Sequence, residues 1–131
     1  MFCTYLKNVL VDHILMKDTY TSAAPPVVCL WIGNPGASLI DGSECSGGGY
    51  VRQATLTSEW DQIGGTADNN TEIAFPEATG YWGIVTHVAI TDHISPGSQL
   101  ALFYGPLTSP KEIDEGSVAK FRIGALSIIL L

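Results

Sequence analysis

From residue 27 onward, apolar side chains come in short runs or alternate with polar ones, and glycine, proline, serine or asparagine repeatedly breaks the pattern. Val27 to Ile32 (Val-Val-Cys-Leu-Trp-Ile) is apolar throughout, as expected of a strand covered on both faces. Asn34-Pro35-Gly36 turns the chain, and residues 37 to 49 read as a Gly/Ser-rich loop. Tyr50 to Thr57 alternates, with Tyr50, Arg52, Ala54 and Leu56 on one face and Val51, Gln53, Thr55 and Thr57 on the other. A short strand is expected at Glu59 to Ile63, a polar turn at Gly64 to Asn70, and another short strand at Thr71 to Phe75. Gly83 to Thr91 is the strongest strand pattern, and it places His87 on one face with Val85 and Ala89. Gln99 to Leu107 follows the turn Ser95-Pro96-Gly97-Ser98. Lys111 to Gly116 reads as an acidic hairpin, and Ser117 to Ile123 and Ala125 to Leu131 are separated by Gly124.

Before these strands the period changes. Residues 4 to 16 are the one helix candidate, with Thr4 as cap and Leu6, Val9, Leu10, His13 and Ile14 on one face. Thr19 to Pro26 follows as an extended connector, because proline biases its predecessor away from helix. The pattern predicts an all-β fold, a jelly-roll-like β-sandwich of about eight antiparallel strands with one N-terminal helix. Residues 1–26 form the helix and arm, and residues 27–131 the sandwich.

Composition adds a partner to this picture. At 131 residues the chain is long enough to bury roughly two-thirds of its unfolded surface. Yet 46% of residues are hydrophobic, only 15% are charged, and the mean hydropathy is +0.23. A soluble domain ordinarily carries about a quarter charged residues. Such a chain is expected to bury apolar surface against another protein.

Charge and cysteine content narrow the classes. Six Lys and Arg against thirteen Asp and Glu give a net charge of -7. The cations are scattered, which argues against a nucleic-acid partner. Cys3, Cys29 and Cys45 are odd in number and form no CxxC, so neither a disulfide framework nor a zinc ribbon follows. Cys29 reads as a small buried hydrophobe. Met1 to Tyr5 lacks the basic start of a signal peptide, and the apolar end from Ile123 is too short to span a bilayer, so no membrane partner is expected.

Chemistry is thin along the chain. Asp12-His13 with Asp18 does not converge on a helix. His87 and His93 lack metal-ligand spacing. Ser43, Ser46 and Ser98 lie in glycine-rich turns without the G-x-S-x-G pattern. Gly47-Gly48-Gly49 lacks the Lys-Ser/Thr of a phosphate loop. Asn69-Asn70-Thr71 matches a glycosylation acceptor and reads as a polar turn. The expectation is no enzyme, no metal and no cofactor. Trp60, Tyr81 and Trp82 would serve a carbohydrate-binding module if exposed.

The order of segments nevertheless carries a resemblance. The helix Tyr5-Leu6-Lys7-Asn8-Val9-Leu10-Val11-Asp12-His13-Ile14-Leu15 leads to Tyr20-Thr21 and a proline arm. Then come Gly48-Gly49-Tyr50-Val51-Arg52-Gln53, Phe75-Pro76-Glu77-Ala78-Thr79, Trp82 to Ile90, Tyr104 to Lys111 and Gly116. This arrangement resembles a family of small tailed-bacteriophage virion proteins, loosely called tail-fibre proteins and including capsid decoration (cement) proteins. Residues 92 to 98 depart from the Asp-Ala-rich, Gly-rich turn of that family. The resemblance implies a virion structural protein. The compact, acidic chain points to cement on the outer capsid surface, assembled in the host cytoplasm, with the major capsid protein and further copies of itself, as a homotrimer, for partners. A tail-fibre or tail-adaptor protein is the alternative. Contact is expected through the helix 4–16, the arm 19–26 and the loop 37–49, with Leu6, Leu10, Tyr20, Pro25, Pro26, Tyr50, Trp60 and Trp82 as partner-binding candidates.

Overall fold

A computed structural model describes residues 1–21, 25–95 and 101–129. Helix α1 spans Thr4–Ile14 and ten strands follow among the described residues. They are β1 (Val27–Ile32), β2 (Ser43–Glu44), β3 (Gln53–Ala54), β4 (Trp60–Ile63), β5 (Thr66–Asn69), β6 (Ile73–Ala74), β7 (Gly83–Thr91), β8 (Ala101–Ile113), β9 (Lys120–Phe121) and β10 (Ser127–Ile129). The all-β sandwich with one N-terminal helix is what forms.

The strands divide into sheets of five, three and two. The main sheet runs β2-β1-β7-β8, with β3 also paired to β1. The smaller sheets are β10-β5-β4 and β6-β9, and every pairing is antiparallel. Strand β1 is central and buried on both faces, which is why its sequence shows no alternation. Val28 and Leu30 point into the main core with Val85, Ile113, Ile73, Phe75, Trp82 and Leu126. Cys29 and Trp31 point the other way, into a second cluster with Cys3, Leu39, Ala89 and Ala101. The main core therefore fills the space between the large sheet and the two small ones, and the N-terminal segment closes the opposite face. That segment pairs with β8: the Tyr104 N–H donates to the Met1 carbonyl (3.0 Å) and the Cys3 N–H to the Leu102 carbonyl (2.9 Å).

Several boundaries differ from the sequence reading. Cys3, not Thr4, is the helix cap, and no side chain caps it. The polar stretch after Ile63 is a strand: Ile63 pairs with Thr66, leaving a two-residue turn. Gly64 and Gly65 hold φ of 61° and 85° there, the left-handed pair such hairpins need. Only Gln53–Ala54 of the expected Tyr50–Thr57 strand is paired, and Val51 and Leu56 are exposed. The expected acidic hairpin is displaced, because Lys111–Ile113 completes β8. Parts of the arm (22–24), of the turn and strand around 96–100, and of the C-terminal strand (130–131) lie outside the described residues.

Strand β7 also breaks its own alternation. His87 pairs with Pro106 and Val85 with Lys111, so Thr86 alone faces the four residues 107–110. This bulge shifts the phase: Val85 and Val88 face the main core, while Ala89 faces the second cluster. His87 consequently lies on the face of Ala89 and not on that of Val85, correcting the period-2 expectation.

Candidate functional site

The motif Gly48-Gly49-Tyr50-Val51-Arg52-Gln53 runs into β3 of the main sheet, and its polar atoms close a network inside the fold. Arg52 is buried and meets Glu44 through two bonds, Nε to Oε1 (2.8 Å) and Nη2 to Oε2 (2.9 Å). Its Nη1 donates to the His93 carbonyl (3.0 Å) and to Thr91 Oγ1 (3.4 Å). The Tyr50 hydroxyl donates to Glu44 Oε1 (2.9 Å) and accepts from the Leu30 N–H (3.0 Å). Burial alone disfavours the charged guanidinium, but the hydrogen bonds and charge of Glu44 outweigh it and hold Arg52 above its ordinary value. Burial likewise pushes the Tyr50 phenol up, with Cys29 and Glu44 adding to it, so the hydroxyl remains a donor. The network ties the glycine loop, β2 and the end of β7 to the central strand.

Trp82 anchors the same loop. Its indole N–H donates to the Gly48 carbonyl (2.8 Å), which also accepts from the Thr79 N–H (2.8 Å). Gly48 has φ of 51°, and a Cβ there would lie 2.8 Å from the Gly80 carbonyl and 2.9 Å from the indole. The glycine run is thus a docking surface for Trp82, with Tyr50 edge-on to the indole at 5.3 Å.

The other candidate residues are spread over the fold. Cys3, Cys29 and Cys45 are free and buried; burial raises Cys3 and Cys45 to about 11 and Cys29 to about 12, so none is a ready thiolate. His87 Nδ1 is 2.8 Å from Thr86 Oγ1, and no carboxylate lies within ion-pair distance of it among the described residues. His93 Nδ1 is 2.8 Å from Asp92 Oδ1. Among the described residues no group of three or more His, Cys, Asp or Glu converges. Asn69 is buried: its amide nitrogen donates to the Thr71 and Arg122 carbonyls, and its oxygen accepts from the Leu126 N–H (all 2.9 Å). It is a staple between β5 and the C-terminal segment, and its amide is not presented as a glycan acceptor. No described helix is long and apolar enough to cross a membrane.

The structure scatters the eight partner-binding candidates. Leu6 and Trp82 are each 4% exposed and point inward. Tyr50 belongs to the network, and Trp60 is half-buried against the main core with its N–H on Thr55 Oγ1 (2.8 Å). The Tyr20 hydroxyl donates to Asp92 Oδ2 (3.2 Å), and its ring meets Tyr5 edge-on, tying the arm to the sheet. Leu10 and Pro26 are half-buried and Pro25 is exposed. Of the sugar-stacking aromatics, only Tyr81 stands out, at 58% exposed.

Two surface features involve residues outside the eight candidates, the first of them within the helix 4–16 expected to make contacts. The first is the end of α1, where Val11 (54%), Ile14 (73%), Leu15 (61%) and Met16 (92%) lie exposed together in sequence. Helical spacing assigned Ile14 to the covered face, but the helix is covered only through its first turns. The second is an open cleft of about 820 Å³ between β8 and the segment carrying β9 and β10, floored by Leu30, Val85 and Val88.

Fold and surface together define a small all-β sandwich with a polar network inside and apolar surface outside. Comparison places it further: the model of the podophage GP4 fiber I protein gp80 family matches residues 1–129. The chain belongs to that family and is a tailed-phage virion structural protein. No curated protein matches it.

Proposed function

We propose that this chain is a subunit of a virion fibre, acting mechanically by burying apolar surface against copies of itself and neighbouring virion proteins, and catalysing no reaction. The observation that carries the proposal is the match to a fibre-protein family over residues 1–129. The exposed apolar end of α1 and the open cleft supply surface for such packing. The principal rival is capsid cement on the outer shell, clamping the major capsid protein. Shape and charge are compatible with both positions, and the fibre description of the family favours the tail. A carbohydrate-binding module is disfavoured, since Trp82 is spent on Gly48 and Trp60 on the core.

Copy number per purified particle, measured by mass spectrometry against the major capsid protein, separates these readings. A small number matching tail symmetry supports a fibre subunit. A ratio near one per capsid subunit overturns it in favour of cement. Absence from particles overturns both.

A further inference from the structure

The cleft beside β8 has a chemical bias that the rest of the chain lacks. The protein carries thirteen Asp and Glu against six Lys and Arg. Half of the cations, Lys111, Lys120 and Arg122, line this cleft, and among its described lining residues Glu112 is the one carboxylate. Lys120 is engaged only loosely, 3.9 Å from Glu72 with both side chains about half exposed. Lys111 and Arg122 have no ion pair among the described residues. Beneath the cations the floor is apolar. An occupant should therefore be apolar at its tip and acidic at its flanks.

The walls decide its shape. Among the described residues, beyond the short pairing with residues 1–3, β8 is an edge strand, and β10 is the edge of its own sheet. An entering strand would find β8 a poor template. Tyr104 donates outward, so Pro106, two residues on, places its N–H-less nitrogen on the same outer side. The bulge at 107–110 then interrupts the edge. A side-chain knob suits this cleft better than an added strand.

The chain itself carries such a knob. Val11, Ile14, Leu15 and Met16 form an exposed apolar tip at the end of α1, bracketed by Asp12 and Asp18, with Lys17 and His13 the basic side chains there. Met16 is held at φ 58°, a left-handed conformation usually left to glycine at helix ends. The Met16 N–H bonds to the His13 carbonyl and that of Lys17 to the Asp12 carbonyl, fixing the tip. A non-glycine residue held there at a cost, and exposed, is what a contact site would retain. No residue of α1 lines the cleft of its own subunit. The helix is rooted at Cys3, in the cluster on the other face of the main sheet.

We infer that the α1 tip of one subunit seats in the β8/β9–β10 cleft of a second copy, making a head-to-tail contact between identical chains. Such a contact is heterologous, and it closes into a ring when the rotation per subunit allows. The inference deepens the fibre proposal and rests on it for its setting.

The test uses two full-length variants, all four substitutions falling at exposed positions. The tip variant carries Leu15→Gln and Met16→Gln, which remove apolar contact without adding charge that the cationic cleft would attract; the cleft variant carries Lys111→Glu and Arg122→Glu. Both should keep the wild-type circular dichroism spectrum and urea midpoint. By sedimentation equilibrium and native mass spectrometry, wild type should be oligomeric, and each variant alone should dissociate at a concentration roughly a hundredfold higher. Mixed together they should form a 1:1 dimer, because the tip variant keeps its cleft and the cleft variant keeps its tip. Wild-type protein that stays monomeric overturns the inference, as does assembly unaffected by either variant. Loss of assembly without 1:1 rescue also overturns it, since a two-fold contact between like patches behaves that way. A chain that is monomeric alone but present in particles refutes only this contact; an oligomer absent from particles refutes only the fibre proposal.

Discussion

Replacing Glu44 by alanine removes the partner of a guanidinium that cannot return to water without opening the fold. Side-chain exposure is 2% for Arg52 and 12% for Glu44, so the pair is interior at both ends. In Glu44→Ala, Arg52 keeps the His93 carbonyl and Thr91 Oγ1 but loses both charged bonds, and the Tyr50 hydroxyl loses its acceptor. Breaking a buried pair from one side costs about 3–5 kcal/mol, because the remaining charge stays desolvated. Domains of this size have roughly 5–15 kcal/mol in total. With a urea slope of about 2 kcal/mol per molar, the midpoint should fall by roughly 1.5–2.5 M.

The reasoning makes a second demand. Removing both charges together, as Glu44→Leu with Arg52→Met, should cost far less than the two single changes added, because no unpaired charge remains. A complete double-mutant cycle by urea denaturation, followed by tryptophan fluorescence, measures this coupling. A loss below about 1 kcal/mol for Glu44→Ala is the behaviour of an exposed pair and would refute the interior network. Additivity of the two single changes would refute it equally.

Three further outcomes follow from the interior. Gly48→Ala should cost roughly 2 kcal/mol or more in thermal or urea unfolding, combining the left-handed backbone with a Cβ 2.8 Å from the Gly80 carbonyl, whereas Gly47→Ala, with nothing within 4 Å, should cost about 1 kcal/mol; equal costs would refute the docking of Trp82 on Gly48. Asn69→Ala should cost about 2–4 kcal/mol, since it strands the buried Leu126 N–H and leaves the Thr71 and Arg122 carbonyls without their donor; a loss below about 0.5 kcal/mol in urea would refute the staple. The thiols' contribution to stability should be full below about pH 8.5 and fall from pH 9 upward, because the unfolded thiols ionise near 9 while the folded ones hold their protons to about 11 (Cys3, Cys45) and about 12 (Cys29). The unfolded state then binds fewer protons, roughly 1–2 kcal/mol is lost per thiol at pH 10, and Cys29→Ala should flatten the decline; urea midpoints at pH 8 and 10 check this, and unchanged midpoints would refute it.

What was legible in the sequence follows from how each element is stabilised. β1 and β7 match their expected ranges residue for residue, because a continuous apolar run or a β-branched run between Gly and Pro marks a strand locally. β5 was invisible: Thr-Ala-Asp-Asn has no apolar alternation, and its strand state comes from pairing with β4 and β10. The network failed to show for the same reason. Alternation placed Arg52 beside Ala54 and Leu56, which are exposed, while β1 brings Arg52 to Glu44 from a loop. Only the coincidence of a lone Arg and a Glu flanking Gly47-Gly48-Gly49 could have hinted at a pair.

The candidate interaction surface illustrates the converse limit. Periodicity identifies which residues of α1 share a face, but coverage depends on how far the underlying sheet extends, and that is tertiary. α1 packs on β8, and along the helix face that periodicity defines Leu6 is buried while Ile14 is exposed. Composition had already required this outcome somewhere: 46% hydrophobic residues in a chain whose interior also admits Arg52, Glu44, Asp92 and Asn69 leaves apolar side chains over for the surface. In a free monomer that distribution is a liability. In a subunit surrounded by neighbours it is economical: the polar interior fixes a single register for the loops, and the displaced apolar residues become the contacts. Under the contact inferred above, the cations gathered in one cleft of an acidic chain would fit the same logic, giving an otherwise nonspecific apolar surface an orientation.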